Sequence, residues 1–173
     1  MAIRRGRRVA SGRIKEVLEN LLEASKLCAI ATVAGSRAYV NTAYFAWSSD
    51  FRLVWISDPE AQHSKNLGRN SSVAVAVFDS GQVWGKPDRG LQLIGRASEV
   101  GGRRADAARG VYAARFPDYE GHGASAYQCY EFRPRRAKLF DETKLGGGVF
   151  VTARISATGS VSWERTELYP GAS

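Results

Sequence analysis

The segment SDPEAQHSKNLGRN (residues 57–70) gathers hydroxyls, an imidazole and an ammonium in one short stretch, at Ser57, His63, Ser64 and Lys65. These groups are hydrogen-bond donors and a cation, and the chemistry they suit is capture of an anion. Asp58 is a good N-cap, Pro59 fits a first helical position and Gly68 fits an exit. The spacing therefore predicts a helix of about two turns from Pro59 to Leu67. A helix start presents unpaired N–H groups and a positive dipole end. Lys65, with the hydroxyls of Ser57 and Ser64, would add donors around a phosphate. The same spacing also describes a solvated lysine and a surface histidine, and the residues alone leave both readings open.

Catalysis by a protein nucleophile finds no support. No serine lies in a Gly-x-Ser-x-Gly setting, and neither a Walker loop nor a dinucleotide glycine fingerprint occurs. Gly146 to Gly148 follow no clear strand and read as a turn. Cys28 and Cys129 lie far apart in β-like runs and read as buried, reduced thiols. Two cysteines and two histidines without metal-type spacing give no expectation of a metal site. Any reaction must come from a bound cofactor or from scattered polar groups.

The chain of 173 residues suits one domain, residues 11–173, behind a basic arm, residues 1–10, whose RRGRR run is expected to be disordered. Net charge is +8, with further basic pairs at Arg103–Arg104 and Arg135–Arg136. A dispersed positive field of this kind steers phosphorylated ligands. No zinc-finger, KH or RRM signature occurs, so nucleic acid is not the expected partner. No apolar run approaches the roughly 20 residues of a membrane span, and the N-terminus lacks the apolar region of a secretory signal. A cytoplasmic protein without a membrane partner is the expectation.

The elements that must position Ser57 to Lys65 are mostly strands. Ile14, Val17, Leu18, Leu21 and Leu22 recur at helical spacing and predict one amphipathic helix. LCAIATVA, AYVNTAYFAW and FRLVWISD follow as β-prone runs joined by GSR and SSD, and their short connections predict an antiparallel meander. In SSVAVAVFD, Val73, Val75 and Val77 alternate with Ala74, Ala76 and Phe78, apolar on both faces as in a central strand. SGQVWGKPDRG is long for a simple connection and is a candidate functional loop, with Trp84, Lys86, Asp88 and Arg89. LQLIGRASEV is a strand in which Gly95 lets a neighbour approach. GRRADAARGVYAARF is a second amphipathic helix, PDYEGHGAS is irregular, and AYQCYEFRPRRAKLFD reads as two short strands around Pro134. GVFVTARIS and SVSWERTEL complete a mainly β protein, an antiparallel barrel with flanking helices.

From LCAIATV through AYVNTAYFAW and ISDPEAQHSKNLGRNSSVAVAVFD to GLQLIGRA, the order and spacing of these runs carry a resemblance. The chain is similar over about residues 27–100 to the pyridoxamine 5′-phosphate oxidase-like family of FMN-binding split β-barrels, and to an uncharacterised bacterial subgroup within it. The resemblance implies an antiparallel split β-barrel of FMN-binding type and a homodimer with FMN at its interface. Deazaflavin or haem takes that place in a few branches. It further implies hydride transfer to or from a small organic substrate, or alternatively a non-catalytic flavin-, deazaflavin- or haem-binding protein.

Carried over by position, Lys65 matches the family's phosphate lysine, Ser57 its third-strand hydroxyl, and Thr42 to Phe45 the strand edge that meets the flavin ring. Asn41, Thr42, Ala43, Tyr44, Ser57, His63, Ser64, Lys65 and Gln92 are thus the cofactor-binding candidates. Gln92 stands at a different offset from Gly95 than the oxidase's glutamine. Ser64 replaces an arginine, leaving His63 or Arg69 to compensate. Tyr44, Phe45 and Trp47 also read as packing residues. The Arg-x-His substrate clamp of the true oxidase is missing after Gln128, so pyridoxamine phosphate is not the expected substrate. Trp84, Lys86 and Arg89 are the candidates for closing over a different one.

Overall fold

The structure, a computed structural model, describes residues 3–119 and 127–169. Part of the expected irregular segment PDYEGHGAS lies outside the described residues. The elements are β1 (Arg4–Arg5), α1 (Ser11–Ala24), β2 (Leu27–Ala34), β3 (Arg37–Tyr44), β4 (Ala46–Trp47), β5 (Leu53–Ser57), α2 (Gln62–Arg69), β6 (Ser72–Val77), β7 (Arg89–Val100), α3 (Gly102–Arg115), β8 (Gln128–Asp141), α4 (Glu142–Leu145), β9 (Val149–Ile155) and β10 (Val161–Leu168). The strands run in the order β1-β10-β9-β8-β7-β6-β2-β3, with β5 also on β8 and β4 on β5. Every pairing is antiparallel.

The core follows the two periodicities. Ile14, Val17, Leu18, Leu21 and Leu22 of α1 are buried with Val73, Val75 and Val77 of β6 and with Leu91 and Leu93 of β7. Each such side chain contributes about 1.5–3 kcal/mol on leaving water. Arg115 of α3 closes the far end of α1: its Nη2 donates to the carbonyls of Leu22, Glu23 and Ser25 at 2.9, 3.1 and 2.9 Å. Its guanidinium also stands 5.1 Å from the centre of the Phe45 ring. A cation thus meets the helix end where the orphan carbonyls collect. Cys28 and Cys129 are buried, free thiols, and burial pushes the Cys28 thiol up to about 12.

Three expectations are corrected. The first three sheet strands are not one meander. β2 and β3 pair as a hairpin, but at Phe45 the chain donates its N–H back to Lys26 and leaves the ladder. β5 then pairs with β4 and with β8, while β2 takes β6 as its second neighbour. The run around Pro134 is a single strand of 14 residues, β8. A register shift between Ile94 and Gly95 sets Gly95 opposite Pro134, where the missing proline N–H falls at an irregularity. A Cβ on Gly95 would lie 2.1 Å from the Arg133 carbonyl oxygen, so only glycine admits this approach. Third, the arm expected to be disordered contains β1: Arg4 and Arg5 pair with Leu168 and Glu167 on the free edge of β10. An unpaired edge is a ready template for a passing extended segment.

Replacing Gly95 with alanine should cost roughly 1–3 kcal/mol, the range for overpacking at a site that cannot relax. Urea denaturation reads this directly. An unchanged midpoint would mean that β7 and β8 separate freely at the bulge.

Candidate functional site

β5 ends at Ser57, and a turn leads into α2. The helix starts at Gln62, later than the expected Pro59, because Asp58 does not cap it. Instead Asp58 Oδ1 accepts the Glu60 N–H at 2.8 Å, closing a local turn. Ala61 occupies the N-cap position without a side-chain cap. This shift places His63, Ser64 and Lys65 in the first turn of α2.

What docks the helix is Asn66, which is 1% exposed. Its Nδ2 donates to Thr32 Oγ1 at 3.0 Å, and its Oδ1 accepts from Gln62 Nε2 at 2.8 Å. Thr32 lies on the same side of β2 as Cys28 and Ile30, so α2 packs on the inner side of the sheet. Leu67 joins the core beneath it. The Asn66–Thr32 pair is the functional support that sequence reasoning missed. Its one signal was an asparagine beside a leucine in a helix otherwise polar.

Around this helix the candidate residues separate. Ser57 Oγ and His63 Nε2 lie 2.8 Å apart in a direct hydrogen bond. Half-buried, the His63 imidazole is held below its ordinary value by burial and is neutral near pH 7. Lys65 projects to solvent with Nζ 3.0 Å from Glu60 Oε2, an exposed pair that an incoming anion can displace. Ser64 turns the other way: it is buried, and its hydroxyl donates to the Asp58 carbonyl at 2.7 Å.

β3 supplies the second wall. Among the described residues it has a hydrogen-bonded neighbour on one side only, β2, so its other edge keeps free backbone groups. Along it, Asn41 and Ala43 face inward, while Thr42 and Tyr44 face outward. Asn41 Oδ1 is buried without a hydrogen-bond partner among the described residues. Tyr44 packs edge-on against Phe116 at 5.7 Å, Phe45 is fully buried, and Trp47 stacks on Phe51 at 6.1 Å. Gln92 is not brought to this wall. It points outward from β7, in a row that runs Thr42, Ala29, Ala76, Gln92, Lys138 across the sheet's outer face.

The loop between β6 and β7 is anchored at its base. The Arg89 N–H donates to Gln82 Oε1 at 2.6 Å, and the Asp88 N–H donates to Glu142 Oε2 at 3.2 Å. Trp84, fully exposed, rides at its tip with Lys86 nearby. No group of three or more His, Cys, Asp or Glu able to hold a metal occurs among the described residues. No helix among them is long and apolar enough to cross a membrane.

An antiparallel split barrel with a basic helical insert after β5 defines a broad class of proteins. The profile of the pyridoxamine 5′-phosphate oxidase family matches residues 14–141, and the chain belongs to that family. Solved structures agree on the fold. A protein of unknown function from Agrobacterium tumefaciens is 20% identical with a TM-score of 0.68, the match covering 78% of this chain and 59% of that one. A FAD-binding protein from Mesorhizobium loti is 20% identical (TM-score 0.57, covering 79% and 96%). HutZ, a heme storage protein from Vibrio cholerae, is 18% identical (TM-score 0.58, covering 72% and 91%). No curated protein matches the chain.

Two outcomes test this geometry. Asn66→Ala leaves Thr32 Oγ1 buried without its donor and should cost about 1–3 kcal/mol in denaturant unfolding; an unchanged midpoint would remove Asn66 as the dock. The His63 resonance should titrate with a midpoint below 6.5. Because folding lowers this value, stability falls as pH drops from 6.5 through the folded midpoint. A midpoint at or above 6.5 would contradict the half-buried placement.

Proposed function

We propose that this chain binds FMN and works as a flavin-dependent oxidoreductase on a small organic substrate, at a site completed by a second copy of the chain. The observation that carries the reading is the open edge of β3 beside α2, with the Asn41 carboxamide oxygen buried and unpartnered along it. A flavin ring presents a flat edge of alternating donors and acceptors, and such an edge suits free strand backbone together with an unpartnered amide oxygen. The donor set fits the rest of the cofactor. Lys65 supplies a mobile ammonium, Ser57 a hydroxyl, and the first turn of α2 its unpaired N–H groups.

When bound, a flavin supplies hydride acceptance and donation. The chain's own residues bind and orient. Lys65 would exchange Glu60 for the phosphate, and Ser57 would share its hydroxyl between His63 and the headgroup. Burial keeps His63 neutral until an anion arrives; a phosphate nearby then favours its protonated form, which compensates for the arginine that Ser64 replaces. Thr42, Ala43 and Tyr44 offer backbone groups along the β3 edge. Trp84 and Lys86 on the exposed loop, and Arg89 at its base, are the residues proposed to contact substrate.

The outer face supports the pairing of two copies. Val40, Ala31, Ala74 and Ile94 form one apolar row across β3, β2, β6 and β7. Val40 is 70% exposed and Ile94 51%. A contiguous apolar strip of this kind marks an interface, and a two-fold contact is self-complementary. Gln92 lies on this same face. It would therefore reach the flavin of the other protomer, which explains its separation from Lys65.

Protein reconstituted with FMN should show a flavin spectrum that NADH or NADPH bleaches anaerobically. A Soret band in the purified protein would instead favour a haem-binding protein without turnover. Lys65→Ala should weaken FMN binding by about 1–3 kcal/mol, whereas Glu60→Gln should leave it equal or tighter. An unchanged dissociation constant for Lys65→Ala, read by flavin fluorescence, would remove the lysine from the site.

A further inference from the structure

At the other end of β5 the molecule carries a second feature that the flavin reading does not use. β5 and β9 both pair with the same edge of β8, β5 over Leu53–Ser57 and β9 over the stretch facing Arg136–Phe140. Where they part, a cleft of about 890 Å³ opens. Five arginines line it, Arg52, Arg96, Arg133, Arg135 and Arg154, against the single carboxylate of Asp50.

Two buried or half-buried glutamates hold three of the five in place, Arg52, Arg133 and Arg154. Glu131, 5% exposed, takes Arg52 Nη1 at 3.1 Å, Arg104 Nη2 at 3.0 Å and Arg133 Nε at 2.6 Å. Burial alone would push its carboxyl up, but the Arg133 hydrogen bond and the neighbouring guanidinium charges outweigh that and hold it below its ordinary value. Glu164 likewise takes Arg136 Nε and Arg154 Nε, each at 3.1 Å, and Arg165 Nη1 at 3.6 Å. Each carboxylate meets three guanidinium groups, and although Arg52 also faces Asp50 and Arg165 also faces Glu167, positive charge exceeds negative at both clusters. Arg52 Nε stands 2.6 Å from Asp50 Oδ2 with its N–H off the axis to that oxygen. Among the described residues Arg96 bonds only to the Ser71 hydroxyl, at 2.9 Å. Arg135 makes no ion pair or side-chain hydrogen bond among the described residues.

We infer that this cleft binds a small organic polyanion carrying two or more phosphate groups. Guanidinium forks converging on one concavity match phosphate oxygens in a way dispersed surface lysines do not. The volume falls within the range of small-molecule sites. Ser156, Ser160 and Ser162 add polar groups along one wall, and Pro134, Ile155 and Ala157 give an apolar surface for the ligand's carbon part. The lining contains no aromatic side chain on which bases could stack, which disfavours a single-stranded nucleic acid.

The test is calorimetric titration of the full chain with inorganic pyrophosphate and, separately, with orthophosphate at constant ionic strength. Pyrophosphate should bind saturably and more tightly than orthophosphate. Arg96→Gln and Arg135→Gln, both exposed and removable without unfolding, should each weaken it roughly tenfold or more, the equivalent of one charge-assisted contact. Arg37→Gln, at the start of β3 and away from the cleft, should not change it. FMN affinity should be the same in the cleft variants, so failure here is distinguishable from failure of the flavin reading. The inference is overturned if pyrophosphate gives no saturable heat, if Arg37→Gln weakens it as much as the cleft variants do, or if a single-stranded oligonucleotide displaces it at lower concentration.

Discussion

β8 gives one edge to β7 along its whole length, but its other edge must serve two strands in turn. Backbone hydrogen bonding allows only one neighbour per edge at any position, so β5 and β9 have to diverge where the exchange occurs. The exchange coincides with Arg133–Arg135, where Gly95 faces Pro134 across a register shift. Glycine permits the close approach, and proline has no N–H to leave unpaired. This handover splits the barrel. It sends β5 away with Ser57 at one end, feeding α2, and leaves the arginine-lined cleft at the other.

The two ends differ in how they hold charge. At α2 the cation is a flexible, exposed lysine with a weakly held carboxylate partner, while the rigid parts are the Asn66–Thr32 dock and the Ser57–His63 contact. A ligand arriving there meets a preformed wall and one adjustable charge. At the cleft three of the five guanidinium groups are themselves held, Arg52 and Arg133 on Glu131 and Arg154 on Glu164. Fixed forks favour a ligand of set geometry, because little side-chain freedom remains to be lost on binding.

The strands and main helices were legible wherever periodicity decided them. The valines of β6 and the stripe of Ile14 to Leu22 are buried as their spacing implies. Ala74 on the other face of β6 and Phe78 just past its end are exposed, because that face is covered by no other element among the described residues. Pro134 misled because proline usually breaks a strand, and nothing local announces that Gly95, distant in sequence, faces it where β8 carries the extra residue Arg135. Asp58 misled because its carboxylate can cap a helix or close its own turn, and here Pro59 and Glu60 favour the turn. The position of Lys65 was legible from the wording of the segment; the inward turn of Ser64 was not, since a shift of the helix start rotates every residue after it. Arg52, Arg96, Arg133 and Arg154 come together only through register, and no short motif joins them.

The phosphate of a bound flavin is the most direct probe of the α2 site. A crystal structure of the protein grown with FMN should show the phosphate within hydrogen-bonding distance of Lys65 Nζ and Ser57 Oγ, with the ring along the β3 edge and Asn41 Oδ1 partnered. A ring bound elsewhere, or a β3 edge and α2 start that contact only water in crystals saturated with FMN, would contradict the flavin reading.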